Sequence, residues 1–215
     1  MLTRTGAESG KPIVHLVEDD AATRHATTRL LKAAGYLVLA YADGAEFLAA
    51  RAKGPGCVVL DLQLPGVSGL YVQHRLAESD EALPIVFVSG HADVEASVQA
   101  MKCGAVDFLP KTVSGEVLLQ AVATAVARDR EARTSREHLN ALRDRYMRLT
   151  PREREVLAHL ISGQLNKQIG FDLGISEQTT KIHRHRVLEK MRADSIAALV
   201  RMAADLQIAP AGTSR

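Results

Sequence analysis

The chain has 215 residues, 47% apolar and 24% charged, which suits one or two soluble domains with substantial cores. Its formal net charge of +2 is unevenly spread: residues 1–127 carry 10 Lys/Arg against 14 Asp/Glu, residues 128–148 carry 7 against 4, and residues 149–215 carry 10 against 7. No apolar run reaches the length of a membrane span, residues 1–12 lack the core of a signal peptide, and 4% aromatics with no Trp disfavour a base-stacking platform. An acidic front and a basic back instead point the back half toward a polyanion. Residues 1–12 read as a loose tail. Cys57 and Cys103 sit inside apolar patterns and read as buried thiols, so no disulfide is expected and the compartment is a reducing, cytoplasmic one.

Ile13 to Val17 is the first predicted strand, followed by Glu18-Asp19-Asp20 and a helix from Ala21 to Ala34 with Leu30 and Leu31 inward. Asp20 suits the start of that helix, where a negative charge meets the N-terminal dipole. Tyr36 to Tyr41 is a second strand and Asp43 to Arg51 a short helix. Cys57 to Leu60 is apolar without alternation, the pattern of a strand covered on both faces. That run ends on Asp61 before Pro65-Gly66 forces a turn. Gly69 to Glu78 is the next helix, Pro84 to Val88 a fourth strand ending in Ser89-Gly90, and Asp93 to Cys103 a helix stopped by Gly104. Asp107 to Leu109 is a fifth strand, ending in Pro110-Lys111. This alternation predicts an α/β domain with a doubly wound, five-stranded parallel sheet.

Residues 114–147 are helical, as one helix or two in sequence, with Val117, Leu118, Val122 and Val126 facing the first domain. Arg128 to Arg136 is charge-rich, and Leu139, Leu142, Tyr146 and Leu149 then recur at spacings of three and four. That seam suits either a helix packed on its own domains or a helical linker that carries dimerisation. From Leu149 a second, all-α domain of four helices is predicted. Thr150, Pro151 and Glu153 form a helix start with a capping box, Asn166 to Leu173 is a short helix ended by Gly174, and Ser176 caps a helix running to about Met191. A fourth helix starts at Asp194 or Ser195. Two helices joined by a tight Gly-containing turn suit a helix-turn-helix, and the third helix carries Lys181, His183, Arg184, His185, Arg186 and Lys190.

In open α/β sheets chemistry sits beyond the carboxyl ends of the strands. Successive predicted strands end on Glu18 and Asp19, Asp61, Ser89 and Lys111. Carboxylates grouped in this way suit a hard divalent ion such as Mg2+. A carboxylate is also a nucleophile toward phosphoryl groups, and a lysine with a hydroxyl supplies donors to the phosphoryl oxygens. Taken singly, Ser89 equally suits a turn and Lys111 a solvated loop.

Residues 11–127 resemble the receiver domain of a two-component response regulator. The resemblance lies in Val-Glu-Asp-Asp at 17–20, Val-Val-Leu-Asp-Leu-Gln-Leu-Pro-Gly at 58–66, Ile-Val-Phe-Val-Ser-Gly-His-Ala-Asp-Val at 85–94 and Gly-Ala-Val-Asp-Phe-Leu-Pro-Lys at 104–111. It implies that Asp61 is the phosphoacceptor and that Glu18, Asp19, Asp61 and the backbone carbonyl of Gln63 hold Mg2+. It further implies that Ser89 and Lys111 bind the phosphoryl group and that Phe108 is the aromatic that turns inward on activation. The register of Glu18 and Asp19 rests on Arg24 matching the usual downstream arginine; a slip by one would make the pair Asp19 and Asp20. One departure stands out: Thr112 follows Lys111 where the family usually has proline, often across a cis bond. A cis bond to a non-proline residue costs roughly 2.5–4 kcal/mol, so a trans, rerouted loop is expected, with the reach of Lys111 in question.

Residues 148–210 resemble the LuxR-type helix-turn-helix, through Leu-Thr-Pro-Arg-Glu-Arg-Glu-Val-Leu at 149–157, Asn-Lys-Gln-Ile-Gly at 166–170, Leu-Gly-Ile-Ser at 173–176, Thr-Thr-Lys-Ile-His-Arg at 179–184 and Glu-Lys-Met-Arg-Ala at 189–193. Residues 128–147 are then a helical linker, and the whole chain resembles the NarL/FixJ class. The resemblance implies base-edge contacts by Lys181, Ile182 and His185 and phosphate contacts by Thr179, Arg184 and Lys190. Gly170 replaces the usual alanine, at roughly 1 kcal/mol of helix propensity, and Thr180 the common valine; both are expected to be tolerated. The expected partners are a sensor histidine kinase, double-stranded promoter DNA and a second copy of the chain, with no membrane. The receiver is expected to catalyse only its own phosphoryl transfer and dephosphorylation. Two other readings stay open: a phosphorylation-independent DNA-binding regulator whose receiver dimerises or senses a ligand, and an aspartyl-phosphate phosphatase. Against the second, Gln63 stands where such enzymes often carry another Asp.

Overall fold

The computed structural model describes residues 11–79, 82–90 and 94–212. Residues 1–10 of the tail expected over residues 1–12, and the helix start expected at Asp93, lie outside them. The chain divides into two compact units, residues 1–133 and 134–215, at a boundary inside the expected linker.

The first unit alternates strand and helix: β1 (Ile13–Val17), α1 (Ala21–Ala33), β2 (Leu37–Tyr41), α2 (Gly44–Ala50), β3 (Gly56–Asp61), α3 (Gly69–Ala77), β4 (Ile85–Ser89), α4 (Val94–Lys102) and β5 (Asp107–Pro110). All strand pairs are parallel, in the order β2-β1-β3-β4-β5. The strand order reverses between β1 and β3, so the ends of these two strands flank the crevice in which α/β sheets bind ligands. Strand β3 is buried along its whole length because both faces are covered. Cys57 and Val59 join Val14, Leu16, Leu31, Leu118 and Val122 in one core, whereas Val58 and Leu60 join Phe47, Val72, Leu76 and Phe87 in the other. That is the physical origin of its unbroken apolar run. Gly56 opens the strand where an added Cβ would stand 1.8 Å from the Ile13 carbonyl oxygen, so only glycine fits.

Helix α5 (Gly115–Met147) is one helix of 33 residues. Leu118, Ala121, Val122 and Ala125 are buried, but Val117, expected inward, is 43% exposed. Cys103 is also a correction: Cys57 is buried, but Cys103, just past α4, is exposed, and both thiols are free.

The second unit holds α6 (Pro151–Ile161), α7 (Asn166–Leu173), α8 (Glu177–Met191) and α9 (Ile196–Asp205). Their core is Val156, Leu157, Leu160, Ile169, Val187, Met191 and Leu199. Leu149 belongs to it and Tyr146 packs against it, so two of the four seam residues pack within their own unit. Thr150 and Glu153 close the predicted capping box, and Ser176 and Ser195 cap α8 and α9. Gly174 ends α7 at φ 66°, a left-handed turn suited to glycine. The glycine at 170 has its own reason: an added Cβ would lie 2.8 Å from the Ile175 carbonyl oxygen and 3.3 Å from the Thr180 hydroxyl oxygen. No helix among the described residues is long and apolar enough to cross a membrane.

His15 interrupts the apolar run of β1 and is 1% exposed, its Nδ1 3.3 Å from the Tyr41 hydroxyl and its ring packed against Tyr41 and Phe47. Burial, reinforced by Arg51, lowers its pKa from 6.5 to about 4. The unfolded chain therefore takes up this proton first, and stability present above pH 6.5 is lost as pH falls toward about 4. The loss should approach about 3 kcal/mol, and His15→Leu should remove this part of the pH dependence in urea unfolding curves.

Candidate functional site

Four strand ends converge at the switch point. Glu18 follows β1, Asp61 closes β3 and Ser89 closes β4; they are 3%, 5% and 1% exposed. Lys111 follows β5, and its N–H donates to the Ser89 carbonyl at 2.8 Å. Its Nζ donates to Glu18 Oε1 and to Asp61 Oδ2, each at 2.7 Å. No cis peptide occurs among the described residues, so Thr112 in place of proline leaves Lys111 within reach of both carboxylates.

Backbone contacts hold this arrangement. Arg24 Nη1 donates to the carbonyls of Glu18 and Asp19 at 2.7 and 2.9 Å, fixing the turn after β1. Asp20 Oδ1 instead accepts the Thr23 N–H at 2.7 Å and caps α1. The slipped pair Asp19 and Asp20 would therefore have to break a helix cap. Asp61 Oδ1 accepts the Gln63 N–H at 3.0 Å. Gly69 went unnoticed in the sequence: an added Cβ would lie 2.4 Å from the Asp61 carbonyl oxygen, so α3 approaches the site this closely only with glycine. Its position at a predicted helix start was the available signal. Phe108 is half-buried and stacked on Phe87, with ring centroids 5.9 Å apart.

Burial raises the Glu18 carboxyl above the usual carboxylate range; the Asp61 charge adds to this, while Lys111 opposes it. Burial by itself would lower the Lys111 ammonium, but hydrogen bonds to Asp61 and Glu18 outweigh it and raise its pKa. Glu18, Asp19 and Asp61 each offer an oxygen, all within 4.8 Å of one another. An all-oxygen, anionic donor set of this kind fits a hard divalent cation such as Mg2+.

The third helix of the second unit, α8, turns Thr180, Val187 and Met191 inward. Lys181, His185 and Arg186 are exposed, and Ile182 is an exposed apolar side chain between them. Thr179 lies in the first turn beside the Ser176 cap, and Arg184 Nη1 donates to Asn166 Oδ1 at 3.4 Å. Lys190 is engaged inside the unit, its Nζ donating to Glu153 Oε2 at 2.6 Å. Burial works against the Glu153 charge, but Lys190 and the Thr150 N–H outweigh it and hold the carboxyl below its ordinary value. No local pattern announces this pair, whose members lie 37 positions apart.

The family model for the response regulator receiver domain matches residues 14–123, and that for bacterial regulatory proteins of the luxR family matches residues 147–203. Transcriptional regulatory protein FixJ of Azorhizobium caulinodans is 37% identical over 199 residues, covering 92% of this chain and 94% of that protein. The chain is a response regulator of the NarL/FixJ class. Nodulation protein W of Bradyrhizobium diazoefficiens is 42% identical to this response regulator over 201 residues, 93% of this chain and 88% of that protein. The solved response regulator StyR matches with a TM-score of 0.83 at 40% identity, over 91% of this chain and 99% of that one. A receiver joined to a LuxR-type domain makes the chain a DNA-binding transcriptional regulator of two-component signalling.

Lys111→Ala should lower receiver stability by about 2 kcal/mol at neutral pH, because two buried carboxylates then face each other without a cation. The deficit should shrink as pH falls from neutral, since Glu18, raised in the folded state, takes up a proton there before the unfolded chain does. Urea unfolding at neutral and mildly acidic pH checks both. Lys190→Ala should cost the second unit about 1–3 kcal/mol by leaving Glu153 buried without a counter-charge, visible as a lower unfolding temperature without any DNA present.

Proposed function

We propose that this response regulator is switched by phosphorylation of Asp61. A phosphohistidine of a sensor kinase is the donor: an Asp61 oxygen attacks phosphorus, the P–O bond forms, the P–N bond breaks and the imidazole leaves. Residues 11–127 act as the receiver, 128–147 as the linker and 148–210 as the DNA-binding domain. Glu18, Asp19, Asp61 and the Gln63 carbonyl would hold Mg2+, which when bound supplies positive charge beside the phosphoryl oxygens. Lys111 and Ser89 donate to those oxygens, and Phe108 moves inward as Ser89 is drawn toward them. The observation that most supports this reading is the Lys111 ammonium, 2.7 Å from both Glu18 and Asp61 at the sheet's switch point.

The energetics require several contacts at once. Reversing a two-state ratio of about 1:99 takes roughly 5.5 kcal/mol. One charge-assisted hydrogen bond contributes about 1.5–3 kcal/mol. Lys111, Ser89 and the cation must therefore act together, with homodimerisation through the α4–β5–α5 face adding the remainder. The dimer then binds promoter DNA in the cytoplasm. Lys181, Ile182 and His185 face base edges, and Thr179 and Arg184 meet phosphates. Lys190 serves phosphate only at the expense of its pair with Glu153.

The test is incubation with Mg2+ and acetyl phosphate, with Asp61→Asn in parallel. Wild type should gain one labile phosphoryl mass and shift toward a dimer, and the variant should do neither. Equal phosphoryl gain by the variant, or none by wild type with either acetyl phosphate or a phosphorylated kinase, overturns the proposal.

A further inference from the structure

Another buried carboxylate lies at the opposite end of β3 from Asp61. Asp129, on α5, is 1% exposed. Its Oδ2 accepts the Gly56 N–H at 2.8 Å and the Arg133 Nε–H at 2.7 Å, and Arg133 Nη2 donates to the Gly54 carbonyl. Asp129 and Arg133 continue at helical spacing the stripe that buries Leu118, Val122 and Ala125, but with charge in place of apolar surface. The first unit ends at Arg133, so this clamp sits at the end of the part of α5 that belongs to it. The clamp is also an unusual way to hold a helix. Asp129 Oδ1 is buried with no hydrogen-bond partner among the described residues. A buried ion pair with an unsatisfied oxygen is a poor source of stability compared with the apolar side chains one turn earlier; what it provides is direction and register.

We propose that the Asp129–Arg133 clamp is a coupling joint: it fixes how α5 leaves the receiver, and changes in the receiver reach the rest of α5 only while it is closed. Strand β3 carries Asp61 at one end and the clamp's Gly56 at the other. Among residues 127–133 Asp129 is the buried one, so opening the clamp releases the one buried side chain that this end of the first unit's α5 has. The coupling half of the proposal rests on Asp61 phosphorylation as the input.

Hydrogen exchange on the full chain tests it, with wild type, Asp129→Ala and Arg133→Ala. Without a phosphoryl donor, amides of residues 130–137 in both variants, and of Gly56 in Asp129→Ala, should exchange roughly tenfold faster, while residues 57–60 stay unchanged. With Mg2+ and acetyl phosphate, exchange in residues 138–147 should respond in wild type. In the variants that response should be lost although the phosphoryl mass is still gained. Unchanged exchange at Gly56 and residues 130–137 overturns the clamp. Faster exchange there with a full response at residues 138–147 overturns the coupling and leaves a merely structural contact. Should wild type gain no phosphoryl mass, the phosphorylation reading fails and the first readout alone decides the clamp. If Asp129→Ala does not fold, Arg133→Ala, which keeps the Gly56 bond, carries the readouts at residues 130–137 and 138–147.

Discussion

Two nearly inaccessible carboxylates, Glu18 and Asp61, face one ammonium at the point where the strand order reverses, and the receiver is built to tolerate that grouping. Buried like charges repel strongly in a medium that screens them poorly, so neither acid is stable there without a cation. Lys111 supplies it from 50 positions away from Asp61 and 93 away from Glu18. Parallel pairing is what makes this possible, because it brings the carboxyl ends of β1, β3, β4 and β5 to one edge of the sheet. The lesser devices serve the same end. Arg24 fixes the turn that presents Glu18 and Asp19, and Gly69 lets α3 approach the Asp61 carbonyl. A site whose charge balance depends on one movable side chain responds readily to new charge, which is the property a phosphoryl switch needs.

The second unit answers the same problem differently. Glu153 is also a buried carboxylate, but it accepts from both Lys190 and the Thr150 N–H, the latter bond being half of the capping box. Nothing there is left to exchange, and the pair ties the start of α6 to the end of α8. With α8 fixed in this way, its exposed face of Lys181, Ile182 and His185 is held on a rigid helix and owes nothing to internal contacts except the surface pair of Lys181 with Glu177. Recognition of a duplex gains from that stiffness, since a positioned helix loses little freedom on docking.

Much of this was legible in the sequence because local rules and global fold agree. The continuous apolar run before Asp61 announced a strand buried on both faces, and Thr150, Glu153 and Ser176 announced helix starts that the structure repeats. The element ends differ by a residue or two where caps decide them, as at Asp43, which caps α2 from outside it. What sequence reading missed was long-range. Lys190 reads as surface charge until Glu153 is brought beside it, and Asp129 and Arg133 read as part of a solvated charge run until Gly54 and Gly56 meet them. Val117 and Cys103 failed for the converse reason: apolar spacing alone does not say that the facing surface is absent. Gly170 looked like a modest helix defect, because the Ile175 carbonyl that crowds it lies across a turn.

Helix α5 shows why its own pattern was hard to read. A helix packed on one partner shows one apolar stripe throughout. In α5 the buried positions are Leu118, Ala121, Val122 and Ala125, then Asp129 paired with the half-buried Arg133, then Leu142, while Tyr146 and, just past the helix, Leu149 enter a different core. No single register of apolar residues links these sets, so 33 continuous helical residues looked as much like two helices as one. The break in the pattern marks a change of partner along an unbroken backbone. The charged pair falls where that change occurs, at the residues that close the first unit. An apolar contact there would bind the helix as well but would set its rotation loosely. A carboxylate fixed to a strand N–H and a guanidinium fixed to a loop carbonyl set it within the narrow geometry of hydrogen bonds.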